Sequence, residues 1–381
     1  MALVKRIFSH FRPHRAADWA GAEWTPLPAL DERTWVSPLR FARGEDAEQA
    51  RRGSPRPKGR KTGAYHRAGL LALDEVAMHR IPPKGDEQGS ELAITTPRGL
   101  PLHSPITRTS ARPRLLLAGQ RNRQATLGTT ALLTPHKQVN YFHWITEVLG
   151  NLWLLQQAGY ERSAIDHYLL PFTGAEWQAT ALERAGVPAD RVLPVDELRG
   201  SRVRRLLIPS WGDVTSHSLP AWLTRGIHAS CAYTPSQQPG TRRIYISRGD
   251  AARRGLLNEQ ALTRLLERFG FEHHVCGGLS LPQQQALFAE AGVIVALHGA
   301  ALTNLLWCAP GTEVLELHAH RHQGRSFHLL ARQLGLRYQA VSVAGPGHSS
   351  RTREDDLQLS DEDLGLIDRL LQDATGEQQG C

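Results

Sequence analysis

Val293-Ile294-Val295-Ala296-Leu297-His298-Gly299-Ala300-Ala301-Leu302-Thr303-Asn304 decides how the rest of the chain is read. Five apolar residues rich in β-branching fit a strand buried on both faces. His298 and Gly299 end that run, and the small Ala300 and Ala301 open a helix through Cys308. Strand, glycine turn and helix in that order form the repeating step of a doubly wound parallel sheet. The step recurs on both sides. Upstream, Arg243-Ile244-Tyr245-Ile246-Ser247 is a strand. Asn258 is then placed to cap a helix whose Leu262, Leu265, Leu266 and Phe269 fall at i, i+3, i+4 and i+7, with Gly270 as its stop. Phe271 to Val275 reads as a second strand, and Ser280 with Gln283 as a capping box around Pro282. Downstream, Pro310-Gly311 turns into a strand from Glu313 to Leu317, followed by a helix from Gln323 to Gly335 and a strand from Tyr338 to Val343. The expected class is α/β.

Ahead of this region, Thr234 to Gly240 has the Pro, Ser and Gly composition of a linker. Beyond the linker, Asn140 caps an amphipathic helix with Ile145, Val148, Leu149, Leu152 and Leu155 on its apolar side. Strands at Tyr168 to Leu170 and Val203 to Ile208 flank a helix from Trp177 to Ala185, and short strands are expected from Tyr65 to about Thr134. The organisation read from this is an irregular segment at 1–64, an α/β domain at 65–235, and a second α/β domain at 240–345. A loop and a helix capped by Ser360 complete it at 346–381.

Composition narrows the partners. The 381 residues are 41% hydrophobic and 22% charged, which excludes a disordered or fibrous chain. Lys and Arg number 45 against 37 Asp and Glu, for a net charge of +8. Forty of the 45 are arginine and they are scattered rather than striped, so nucleic acid is not expected, whereas a phosphate-bearing partner suits arginine's planar fork. Cys231, Cys276, Cys308 and Cys381 show neither a C-x-x-C spacing nor a disulfide framework. No run reaches the ~20 apolar residues of a membrane span, and Met1 to His10 lacks a secretory core, so a cytoplasmic protein is expected. Residues 42–63 form a basic, turn-rich stretch. Its plain reading is a solvated loop, and its sharper one a contact with the inner face of a membrane or a polyanionic product.

Three constellations carry chemistry. His143, Glu147 and Asn151 recur at i, i+4 and i+8 on the polar side of one helix, close enough for imidazole and carboxylate to pair as base and orienter. The turn at His298, Gly299 and Ala300 leads into a helix start suited to a phosphate. Ser247 and Arg248 leave their strand at the same edge, and Glu316 is a carboxylate among apolar strand residues that needs a partner, a ribose hydroxyl pair being one candidate. No dinucleotide fingerprint and no P-loop is present. His318, His320 and His322 alternate and would share a strand face, yet no carboxylate falls in register, so neither a metal nor a cofactor is expected.

Taken together, Asn140-Tyr141-Phe142-His143-Trp144 with Glu147, Ile244 to Arg248, Asn258-Glu259, Gly270 to Glu272, Gln284 with Ala291, His298-Gly299-Ala300 with Leu302 and Asn304, and Val314 to Glu316 resemble glycosyltransferase family 61. These are inverting enzymes of the GT-B architecture, with two Rossmann-like domains facing across a cleft. The resemblance covers roughly residues 110–320. It departs at Ala301, often glycine in the family, and at Gly150-Asn151, often Pro-Arg. It implies a nucleotide-sugar donor, with UDP the expected nucleotide. The donor is held by Ser247, Arg248, His298, Gly299, Ala300, Asn304 and Glu316 of the second domain, and a glycan or lipid-linked acceptor by the first. His143 with Glu147 is then the catalytic base, unless His143 is a donor ligand. The last helix crosses back to the first domain by the same analogy. A sugar-nucleotide epimerase and a non-catalytic saccharide-binding homologue are the alternatives.

Overall fold

A computed structural model describes residues 22–30, 33–35, 68–81, 91–95, 125–133, 140–198, 200–210, 218–251, 254–319, 324–343 and 356–376. The basic stretch at 42–63, His320 and His322 lie outside the described residues. None of the described helices is long and apolar enough to cross a membrane. The chain divides into two units. The first takes Met1–Glu32, Gly59–Asp213 and Arg225–Tyr233, and the second takes Arg33–Lys58, Val214–Thr224 and Thr234–Cys381.

The first unit is built on a mixed seven-stranded sheet. Its path is β1 (Ala22–Pro26), β3 (Gly69–Ile81), β8 (Ser201–Ser210), β5 (Ala125–Leu132), β6 (His167–Leu170) and β7 (Val192–Pro194), with β4 (Glu91–Thr95) paired to β3. Neighbours on the β1, β3, β4 and β8 side are antiparallel, while β8, β5, β6 and β7 run parallel. Helix α1 follows β5 with Asn140 as its N-cap, whose Oδ1 accepts from the backbone N–H of Phe142 and His143. It is an α-turn over Tyr141–Trp144, a π-helical turn over Ile145–Leu149, and α-helix again over Gly150–Gln157. Helix α2 (Glu176–Arg184) lies between β6 and β7, and α3 (Leu223–Ser230) comes after β8.

The second unit carries a five-stranded parallel sheet in the order β11 (Glu272–Val275), β10 (Arg242–Ser247), β12 (Ala291–Leu297), β13 (Glu313–Ala319) and β14 (Arg337–Val343). A two-stranded sheet pairs β2 (Arg33–Trp35) with β9 (Ser218–Pro220) in the same unit. Connections are α4 (Glu259–Glu267), α5 (Leu281–Ala289), a 3-10 helix (Ala300–Trp307) and α6 (Ser326–Leu334), and α7 (Asp361–Thr375) ends the described chain. The strand order reverses between β10 and β12, the switch point where open α/β sheets bind ligands. Alternation decides what each face holds. Val293, Val295, Leu297, Leu315, Leu317 and Val341 join one core with Leu262 and Leu266 of α4 and Ile367 and Leu371 of α7. The other face carries a row formed by Ile246, Ala296, Glu316 and Ala340 in register.

Two expectations are corrected, and the place of the last helix is found. The helix after Gly299 is 3-10 rather than α, and nearly all of it is buried. The helix capped by Ser360 packs within the second unit. Its Ile367 and Leu371 sit in the core of the second unit, and each such burial is worth about 1.5–3 kcal/mol. Asn258 stands at the N-cap position of α4 but makes no capping bond. Its amide exchanges two hydrogen bonds with the backbone of Leu359, at 2.8 and 2.9 Å, and so stitches the C-terminal stretch to the second unit.

Candidate functional site

In the second unit β10, β12 and β13 are parallel, so Ser247, Leu297 and Ala319 end on one edge of the sheet. Ser247 is buried there, and its hydroxyl accepts from the N–H of Gly249 at 3.0 Å, which starts the turn after β10. Arg248 reaches along that edge. Its Nη1 donates to the carbonyl of His298 at 3.3 Å and its Nε to that of Arg254 at 3.2 Å. A Cβ on Gly299 would stand 2.0 Å from Nη1 of Arg248. The backbone there is extended, so a side chain at this position would meet no torsional strain but would have to displace the Arg248 guanidinium. Burial, then the neighbouring Arg254, lowers the Arg248 pKa, a pressure that a bound anion relieves.

Beneath the turn lies a buried polar cluster. Glu316 is completely enclosed, and the flanking Ala296 and Ala340 leave room above it for larger groups. His298 Nδ1 bonds one of its carboxylate oxygens, and the Tyr338 hydroxyl donates to the other. His318 Nε2 lies 3.4 Å from that second oxygen and 3.1 Å from the Tyr338 hydroxyl. Burial alone would raise the Glu316 pKa, but His318 and His298 outweigh it and hold the carboxyl well below its usual range. Burial also lowers the His298 pKa despite the pull of Glu316. Burial and Glu316 together push Tyr338 well up. The cluster at neutral pH is therefore a carboxylate, a neutral imidazole donating through Nδ1, and a protonated phenol.

Within the chain, the partners of the Glu316 carboxylate are His298, His318 and Tyr338. Asn304 is likewise turned inward. Its amide donates to Gln284 at 2.7 Å and accepts from the Trp307 indole at 3.1 Å, so it fixes the 3-10 helix. Ala300 begins that helix behind Gly299. Donor atoms of His298, Glu316 and His318 lie within 4.8 Å of one another, a spacing that admits a metal ion, although hydrogen bonds already link these groups. Tyr338, Arg254 and the Glu316–His318 pairing are absent from the sequence reading. Alternation along β13 does place Glu316 and His318 on one face, which was the signal available.

The first unit holds the other pair. His143 Nδ1 lies 2.9 Å from Glu147 Oε1, with the imidazole 36% and the carboxylate 6% exposed. The polar side of the helix is largely interior. Glu147 and Asn151 are buried, and Asn151 donates to the Leu133 carbonyl. The π-helical turn lies between His143 and Asn151, and Thr146 closes back onto the Phe142 carbonyl at 2.7 Å. Trp144 is anchored by its indole N–H to Pro171 and by an edge-on contact with Trp177. The imidazole thus stands on a rigid helix start, with the carboxylate selecting the tautomer that carries its lone pair on Nε2.

Residues 141–315 match the family model for Glycosyltransferase 61, the family that the motifs resemble. The match begins one residue after the Asn140 cap and ends one residue before Glu316. Beta-1,2-xylosyltransferase RCN11 of Oryza sativa subsp. japonica is 31% identical over 67 residues, which is 18% of this chain and 13% of that protein. A beta-1,2-xylosyltransferase of Arabidopsis thaliana is 33% identical over 66 residues, 17% of this chain and 12% of its own length. The chain thus spans only about an eighth of these relatives, by those figures. Family and relatives together support a glycosyltransferase.

Proposed function

We propose, from the premise that residues 141–315 carry the glycosyltransferase 61 pattern, that the chain is an inverting glycosyltransferase of GT-B type. It moves a sugar from a nucleotide diphosphate donor, UDP-sugar first among them, to a hydroxyl of a glycan or lipid-linked acceptor. The observation carrying this reading is the approach of Arg248 to Gly299, where a guanidinium meets bare backbone at the end of a parallel sheet. Such a turn suits the diphosphate, with Ser247, His298 and Ala300 shaping it. Asn304 and Glu316 support the turn from below.

In the reaction, the acceptor oxygen attacks the anomeric carbon while the bond from that carbon to the phosphate oxygen breaks. The nucleoside diphosphate leaves with the electron pair, its charge met by Arg248. The acceptor proton passes to Nε2 of His143, which Glu147 orients and stabilises once charged. The setting proposed is surface polysaccharide or glycoconjugate synthesis inside the cell, at the inner face of the membrane.

Thermal shift with UDP, followed by incubation with individual UDP-sugars and separation of products, tests the reading. A transferase is stabilised by UDP and leaves donor intact until acceptor is added, apart from slow hydrolysis. Conversion of donor alone to an isomer would make it an epimerase. No response to any nucleotide diphosphate would reduce it to a non-catalytic homologue.

A further inference from the structure

Arg325 stands at the N-cap of α6, the nine-residue helix that follows β13. It is 8% exposed, and its guanidinium meets no acceptor and no carboxylate among the described residues. The residue is largely enclosed while its guanidinium nitrogens keep contact with water, so the cation stands without a counter-charge rather than sealed from solvent. The helix start beside it offers no relief. No side chain caps it and no acidic residue lies in its first turn, so its first N–H groups also lack a side-chain acceptor. One turn on, His328 stacks flat on Tyr338 with ring centroids 4.7 Å apart. Its Nδ1 is the buried side-chain atom among the described residues that has no hydrogen-bond partner. The carboxylate that could have answered these groups is Glu316, and both its oxygens are already held.

Position supplies the rest. α6 begins after β13 has ended, at the same edge of the sheet as the His298–Gly299 turn. Phe327 of its first turn lies 5.1 Å, ring to ring, from His298. Burial lowers the His328 pKa, Glu316 pulls it up, and Arg332 and Arg325 lower it again, so the charge of Arg325 is felt at this ring. Arg248 and Arg254 occupy the other side of the turn. A carboxylate ligand would offer two oxygens to this set, whereas a terminal phosphate offers three, spread over directions that a guanidinium fork, a helix start and an imidazole can share.

The geometry points to Arg325, with the first turn of α6 and His328, as the site that takes the terminal phosphate of a nucleoside diphosphate, while Arg248 takes the inner one. This assignment rests on the donor reading above and divides it into two contacts.

Binding of UDP, UMP and inorganic pyrophosphate to the full chain, measured by calorimetry, tests the site with Arg325→Gln and the conservative Arg325→Lys. Arg325→Gln is expected to weaken UDP about 10- to 100-fold and to change UMP less than about threefold. Arg325→Lys should recover part of the loss, since charge survives without the fork. Arg325→Gln should also melt no lower than the parent, because it removes a charge that meets no counter-charge; a purely structural arginine would destabilise when replaced. Equal weakening of UDP and UMP, or unchanged UDP affinity, overturns the assignment. Pyrophosphate binding that depends on Arg325 in a chain indifferent to uridine nucleotides would keep the anion site and sink the donor reading. Failure of the parent chain to bind either ligand overturns both.

Discussion

His143 and His298 are each tied to a glutamate, and access to water separates their duties. His143 is over a third exposed on its side chain, while His298 is 12% exposed and its Glu316 not at all. The first can meet an acceptor; the second is fitted to hold a turn in shape. His143→Ala is therefore expected to cut turnover roughly 10²- to 10⁴-fold with UDP affinity intact. Glu147→Gln should cost less, since the imidazole survives with weaker orientation. Loss of UDP binding by a folded His143→Ala would move that residue to the donor side. The enclosed pair predicts a pH response. Both folded pKa values are depressed, so the stability they contribute is complete above the unfolded values and is lost on acidification. Loss begins below ~6.5 through His298 and continues below ~4.3 through Glu316. Glu316→Gln should lower the melting temperature at pH 7 and remove the second loss while keeping the first. Melts from pH 4 to 8 check this, and an unaltered acid limb in the variant contradicts it. The sequence shows that Glu316 needs a partner, because a carboxylate inside an apolar strand is visible from pattern alone. It does not show which partner, because Tyr338 is set by the β13–β14 register and Arg325 by a helix start that no local motif marks.

Periodicity resolves some elements and leaves others undetermined. The strands of the second unit and the Ser280 capping box follow directly from alternation and cap chemistry. The stretch from Ala300 to Trp307 gives no such purchase. Burial on nearly every side erases the stripe that would separate a 3.0-residue from a 3.6-residue repeat. The π-helical turn in α1 is hidden for the same reason, with Ile145 through Leu149 all interior. Asn258 illustrates a different limit. Its place before a helix is legible, but its use is decided by Leu359, a hundred residues away in the chain. Asn258→Ala should accordingly weaken the hold on the C-terminal stretch rather than fray α4. Two lost hydrogen bonds suggest about 1–3 kcal/mol. Hydrogen exchange should accelerate across 356–376 and stay near its former rate in α4; the reverse pattern would restore Asn258 to a capping role.

At the scale of the molecule, the described residues include one hydrophobic cluster on the five-stranded parallel sheet and another on the mixed seven-stranded sheet. Calorimetry is expected to resolve two transitions, because chains with two cores depart from two-state melting. UDP should raise one of them, that of the parallel-sheet unit, by about 2.7 kcal/mol at a hundredfold excess over Kd. A nucleotide that moved the other transition alone would reverse the assignment of donor to unit. The parallel order of the second unit was legible from its repeated strand-turn-helix step. The small sheet of β2 and β9 was not, since three-residue strands carry too little pattern. That small sheet also sets a timetable for synthesis. Arg33 pairs with Pro220, so one strand waits for nearly two hundred more residues before its mate leaves the ribosome. At bacterial-to-eukaryotic elongation rates of ~5–20 residues per second, that delay is roughly 10–40 s. The parallel sheet it accompanies is later still. The mixed sheet, finished by Ser210, can be the first surface on which the nascent chain settles.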